Sequence, residues 1–99
     1  MRRAAISITS NIAEGFGRKN FKEKAQFYYL SHGSLTELQN QCMIARDITY
    51  ISKEQFEEMM YISNQTQKIL NGLKIILMIL KTLLVLVLSL FNIIQKLNH

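Results

Sequence analysis

The sequence predicts an all-α protein: an antiparallel helical bundle of three helices, the last of them long and apolar. Three observations carry that expectation. The 99-residue chain has no Pro and only four Gly, too few turn formers for an all-β chain. Its apolar residues recur at helical steps of three and four. Two N-cap signatures, at Asn20 and Ser52, mark helix starts. The length allows one small domain, and a 48% hydrophobic share excludes a disordered chain. A single cysteine, Cys42, excludes an intramolecular disulfide framework and a Cys-rich zinc module. The charged N-terminus, with no long apolar stretch after it, is not a cleavable signal peptide. Together these features fit a cytoplasmic protein.

The first helix is expected over Arg2 to Phe16. Ala4, Ile8, Ile12 and Phe16 recur every four residues, close to one face. Gly15 and Gly17 are expected to stop it, since glycine readily takes the left-handed cap conformation. Asn20 then caps a second helix, Phe21 to Ile48, with Glu23 at the reciprocal position of a capping box. Phe27, Leu30, Leu38, Ala45 and Ile48 mark one flank of that helix. Tyr28, Leu35 and Cys42, seven apart, mark the adjacent one. Gly33 lies mid-helix, where glycine costs about 1 kcal/mol relative to Ala. The expected compensation is close approach of a neighbouring helix, with a kink in the second helix as the alternative. After the short hydrophobic linker Tyr50-Ile51, Ser52 and Gln55 form a second capping box. The third helix starts at Lys53, with Phe56, Met59, Ile62 or Ser63, Thr66, Ile69 and Leu73 as core positions. Nothing in the sequence stops it before about Gln95.

The far end of that helix is anomalous. Of the 26 residues from Ile69 to Ile94, 19 are apolar. Leu70, Leu73, Leu77, Leu80, Leu84, Val87, Phe91 and Ile94 alternate steps of three and four, a heptad seam. Ile76, Ile79, Leu83, Leu86, Leu90 and Ile93 fill a second face as densely. Read as apolar all round, the segment must be enclosed or lie in lipid. Three readings compete: packing against other subunits, membrane association through residues 75–94, or an altered reading-frame tail. The 75–94 window holds Lys81 near its middle, which costs about 2.5–3.5 kcal/mol in a spanning helix.

Charge is distributed as unevenly as hydrophobicity. The net +5 divides into +4 over residues 1–24, −3 over 25–60 and +4 over 61–99. Arg2, Arg3, Arg18, Lys19 and Lys22 are the candidate nucleic-acid-binding residues, close together if the short helix folds back on the next. Each cation that reaches a phosphate gains affinity by counterion release. Tyr28 and Tyr29 offer stacking surface or core. No chemistry-bearing constellation accompanies them. His32 has no metal-spaced partner, Cys42 has no activating base, and Ser10, Ser31 and Ser34 lack a triad setting. Gly15-Phe16-Gly17 lacks the rest of a phosphate loop. The acidic trio Glu54, Glu57 and Glu58 fits a helix start. No enzyme, cofactor or metal is expected.

The run Arg2-Arg3-Ala4-Ala5-Ile6-Ser7-Ile8, followed by Ser10-Asn11-Ile12-Ala13-Glu14-Gly15, resembles the bacterial four-helix bundle family linked to 23S rRNA intervening sequences. Gly33-Ser34-Leu35, Glu37-Leu38, Tyr50-Ile51 and Leu70-Asn71-Gly72-Leu73 resemble its further motifs. The resemblance covers roughly residues 2–80. It implies small antiparallel bundles that assemble as homopentamers, many encoded within inserts in large-subunit rRNA genes. The related accessory protein of diversity-generating retroelements binds nucleic acid and a reverse transcriptase. For this chain the resemblance implies a non-enzymatic homo-oligomer with RNA or DNA contact. A protein-interaction scaffold, a membrane-associated protein and a truncated gene product are the alternatives. The family has a helix before Arg2-Arg3-Ala4-Ala5 and ends near Leu80, so residues 1–80 read as the bundle domain and 81–99 as an extension. Thr9 replaces a favoured Pro, and Lys24 a favoured aromatic. The apolar extension is expected to cover the face left open by the absent helix, within the chain or from a neighbour.

Overall fold

The computed structural model describes residues 1–98; His99, expected to be a frayed end, lies outside them. Three helices account for nearly all of it: α1 Arg2–Gly17, α2 Phe21–Asp47 and α3 Lys53–Leu97, with no strand among the described residues. Partners that pair across helices run in opposite sequence directions. Ser7 meets Ser34 while Gly15 meets Tyr28, and Gln39 meets Ser63 while His32 meets Lys74. So α2 runs antiparallel to both α1 and α3, and it is the central element. α1 and α3 pack on α2 and not on each other.

The core lies where two seven-residue repeats face one another. Tyr28, Leu35 and Cys42 of α2 are buried, as are Ser63, Leu70 and Leu77 of α3. Ile8, Leu35 and Leu70 form its centre, flanked by Ile12, Leu38 and Leu73. The other expected flank of α2 is divided: Ala45 is buried and Phe27 and Leu38 are half-buried, whereas Leu30 and Ile48 face outward. In α3, Ser63 rather than Ile62 points inward, and Leu70 rather than Ile69. The Ser63 hydroxyl accepts from Gln39 Nε2 and donates to the Met60 carbonyl, so its burial leaves no orphan.

The caps follow the sequence. Asn20 Oδ1 accepts from the Glu23 N–H at 2.7 Å. Ser52 and Gln55 form both halves of a capping box, at 3.1 and 2.9 Å. α2 ends in a Schellman turn: Tyr50 N–H bonds Ala45 O at 2.8 Å and Thr49 N–H bonds Arg46 O at 3.0 Å. Thr49 takes the left-handed position at φ 58°, which disfavours a β-branched residue.

Three glycine expectations are corrected. No described glycine has positive φ, so Gly15 and Gly17 are not left-handed caps. Gly15 is buried in the α1–α2 contact, where a Cβ would lie 2.6 Å from Tyr28 Cε1. The carbonyls of Gly15 and Phe16 are instead capped by the Lys24 ammonium, at 3.1 and 3.0 Å. Gly33 has no close neighbour, since a Cβ there would meet open space. A related shift affects Phe16. Steps of four advance 40° on each repeat, so by Phe16 the row has rotated off the face. Phe16 is exposed, with its ring edge against Tyr28, and Gly15 takes the inward place.

An apolar groove of about 290 Å³ opens between α1 and α3, floored by Leu35, Leu38 and Cys42 of α2. The end of α3 does not fold back to cover it. α3 continues unbroken to Leu97, and the last buried side chain is Leu77. The molecule is therefore elongated, 73 × 19 × 14 Å.

Candidate nucleic-acid interface

The structure does not bring the five candidate cations together. α1 does fold back on α2, but this sets Arg2 and Arg3 beside the C-terminal half of α2, where Met1 Sδ lies 3.7 Å from Cys42 Sγ. Arg18, Lys19 and Lys22 sit at the other end, roughly 24 Å away along a 16-residue helix. Arg18 is also engaged locally. Its guanidinium pairs with Glu14 at 3.1 Å and lies 4.9 Å from the Phe27 ring centre. Lys24 is occupied in capping α1.

Lys22 instead joins two lysines from α3. A groove of about 530 Å³ runs between the first half of α2 and the middle of α3, lined by Phe21, Lys22, Ala25, Gln26, Tyr29, Lys74, Leu77, Met78 and Lys81. None of these is acidic. Lys22 and Tyr29 are seven apart on α2, and Lys74 and Lys81 are seven apart on α3, so each pair lies on one face of its helix. Antiparallel packing turns those faces toward each other. Helical periodicity marks each pair in the sequence, but only the α2–α3 register joins them.

Lys74 is the best fixed of the three. Its Nζ sits 4.6 Å from the Tyr29 ring centre and 3.2 Å from His32 Nδ1. An ammonium has only donors, so His32 Nδ1 accepts and the imidazole is neutral, with its proton on Nε2. Burial lowers the His32 pKa, and the neighbouring Lys74 charge lowers it further. Of the two tyrosines, Tyr28 is only 3% exposed and burial raises its phenol pKa, whereas Tyr29 is 70% exposed in the groove. Only Tyr29 offers a ring to a ligand. The Cys42 thiol is buried and pushed upward by that burial. Among the described residues, no three His, Cys, Asp or Glu side chains converge on a metal position.

The residues carrying the family motifs serve packing. Ser7 and Ser34 share a hydroxyl bond at 2.7 Å, and the carbonyl of Ile8 accepts from Oγ of Ser31, a residue outside those motifs, at 2.9 Å. Asn11 Nδ2 donates to the Ser7 carbonyl at 2.8 Å. Gly15 admits Tyr28. The cross-helix contacts fix how α1 lies on α2, the Asn11 bond steadies Ser7 within α1, and none of them involves the basic groove. No curated protein matches the chain. The model of the family described as 23S rRNA-intervening sequence protein matches residues 1–72, all of α1 and α2 and the first 20 residues of α3. On that match, which spans well over half its length, the chain belongs to the 23S rRNA-intervening sequence protein family.

Proposed function

We propose that this protein is a non-enzymatic, self-associating helical-bundle protein that binds nucleic acid, RNA or DNA, through basic surface. The observation that supports this most is the acid-free groove in which Lys22, Lys74 and Lys81 surround Tyr29. Lysines neutralise phosphates without reading sequence, and an exposed aromatic stacks on any base. Arg2 and Arg3 form a separate basic point at the far end of α1 and contribute less. The test is the salt dependence of binding to a labelled single strand and a duplex. Three phosphate contacts give a loss of roughly 40-fold in duplex affinity between 50 and 200 mM salt. Changing Lys22, Lys74 and Lys81 to Ala flattens that slope, while changing Arg2 and Arg3 leaves most of it. No binding at about 50 mM salt refutes the proposal.

A second reading, an interaction scaffold or a membrane-associated protein, is favoured by α3. That helix is long and apolar enough to cross a membrane, and none of its most apolar window is buried. On this reading, association survives high salt and is lost on removal of residues 82–99.

A further inference from the structure

We infer that the exposed end of α3, from Ile79 to Leu97, is an assembly interface that packs against two neighbouring copies of this chain. This deepens the self-association just proposed and rests on it. The segment is not apolar all round. Lys81, Thr82, Ser89, Asn92, Gln95 and Lys96 carry its polar side chains. At 100° per residue all six fall within an arc of about 140°. Thr82, Ser89 and Lys96 are spaced seven apart, so the polar stripe keeps register with the apolar seams.

Opposite that stripe lie the two seams. The first continues the row that already packs on α2: Ser63, Leu70 and Leu77 are buried, and Leu84 and Phe91 come next at the same spacing with nothing against them. The second, through Leu83 and Leu90, lies about 100° round the helix. One neighbour covers one seam, so a helix with two seams and a wet stripe has two neighbours. Three or more copies then close into a ring.

The dimensions favour copies of the chain over a bilayer. The uncharged run between Lys81 and Lys96 is 14 residues, or about 21 Å, against a hydrocarbon core of about 30 Å. Any 18-residue window of α3 beyond the buried Leu77 takes in Lys81, a cation that is costly within a spanning helix. The apolar area divides between the two neighbours. Ten seam side chains between Ile79 and Ile94 are each 47% to 61% exposed. At roughly 80 Å² apiece they offer about 800 Å² per copy, about 400 Å² to each of two neighbours. Each contact alone is therefore a weak one, and closing the ring, which buries both seams at once, holds the copies together.

The test is light scattering on the full chain in detergent-free buffer, with helicity followed by circular dichroism. The unmodified 11.5 kDa chain is expected at three times its mass or more. Lysine pairs on either seam, Leu84→Lys with Val87→Lys or Leu83→Lys with Leu90→Lys, are expected to lower that mass at least threefold or to a dimer. The pair Val85→Lys with Leu88→Lys, equally apolar positions within the polar stripe, is expected to leave it unchanged. A monomeric unmodified chain overturns both this inference and the self-association reading. An oligomer that survives both seam pairs overturns this inference alone. Equal disruption by the stripe pair, or a chain that is monomeric in buffer and sediments only with phosphatidylcholine vesicles, also overturns it.

Discussion

The two halves of α3 carry the same seven-residue apolar repeat in opposite circumstances. Ser63, Leu70 and Leu77 are buried against α2, whereas Leu84 and Phe91, next in the same row, are 47% and 54% exposed. The pattern does not change at Leu77; the supply of partners does. α2 begins at Phe21, and antiparallel pairing brings that end level with Lys74 to Lys81. Beyond that level the chain has nothing left to pack with. A heptad in sequence thus specifies a face to be covered and not the chain that covers it.

The largest expected effect sharpens this contrast. Leu70→Ala empties a fully buried site and should cost about 2–5 kcal/mol, read as a lower midpoint in chemical denaturation at any protein concentration. Leu84→Ala should leave the midpoint unchanged at high dilution and lower it only where the chain is assembled. Equal, concentration-independent losses would erase the distinction between the halves.

Glycines give a smaller effect of either sign. Gly15→Ala drives a methyl into Tyr28, whose ring is only 3% exposed and cannot swing clear, so a loss of about 1–3 kcal/mol is expected. Gly33→Ala meets open space on a helix and should gain about 0.4–1 kcal/mol. At the α2–α3 turn, Thr49→Gly relieves a left-handed β-branched residue and should gain on the order of 1 kcal/mol. Thermal melts of the three variants check all three signs.

The smallest effect is a pH dependence. The folded-state pKa of His32 lies below its ordinary value of 6.5, so below about pH 6.5 the unfolded chain binds the extra proton first. Stability should therefore be fully present above that pH and decline as pH falls through the window down to the lowered pKa. Denaturation midpoints between pH 5 and 8 should show that slope in the unmodified chain and lose it in His32→Gln.

The sequence made the local features legible because their causes are local. Both N-caps, the three helices and the seven-apart rows rest on residues within a turn or two of each other. Features created by register were hidden. His32 and Lys74 are 42 residues apart, and Lys22 joins Lys74 and Lys81 only through the α2–α3 pairing. Gly15 reads as a helix stop because a following basic turn and a second glycine surround it. Its actual neighbour, Tyr28, is chosen by how α1 lies on α2. The charge count likewise gathers Arg2 and Arg3 with Arg18 and Lys19, although a straight helix must hold the two pairs apart.

Amide hydrogen exchange along α3, measured at a low and a high protein concentration, tests the central contrast most directly. Protection from Ser63 to Leu77 should be strong and the same at both. Protection from Leu80 to Leu97 should be weak in the dilute sample and rise steeply in the concentrated one. Protection of residues 80–97 that is independent of concentration, whether high or absent, would contradict the account.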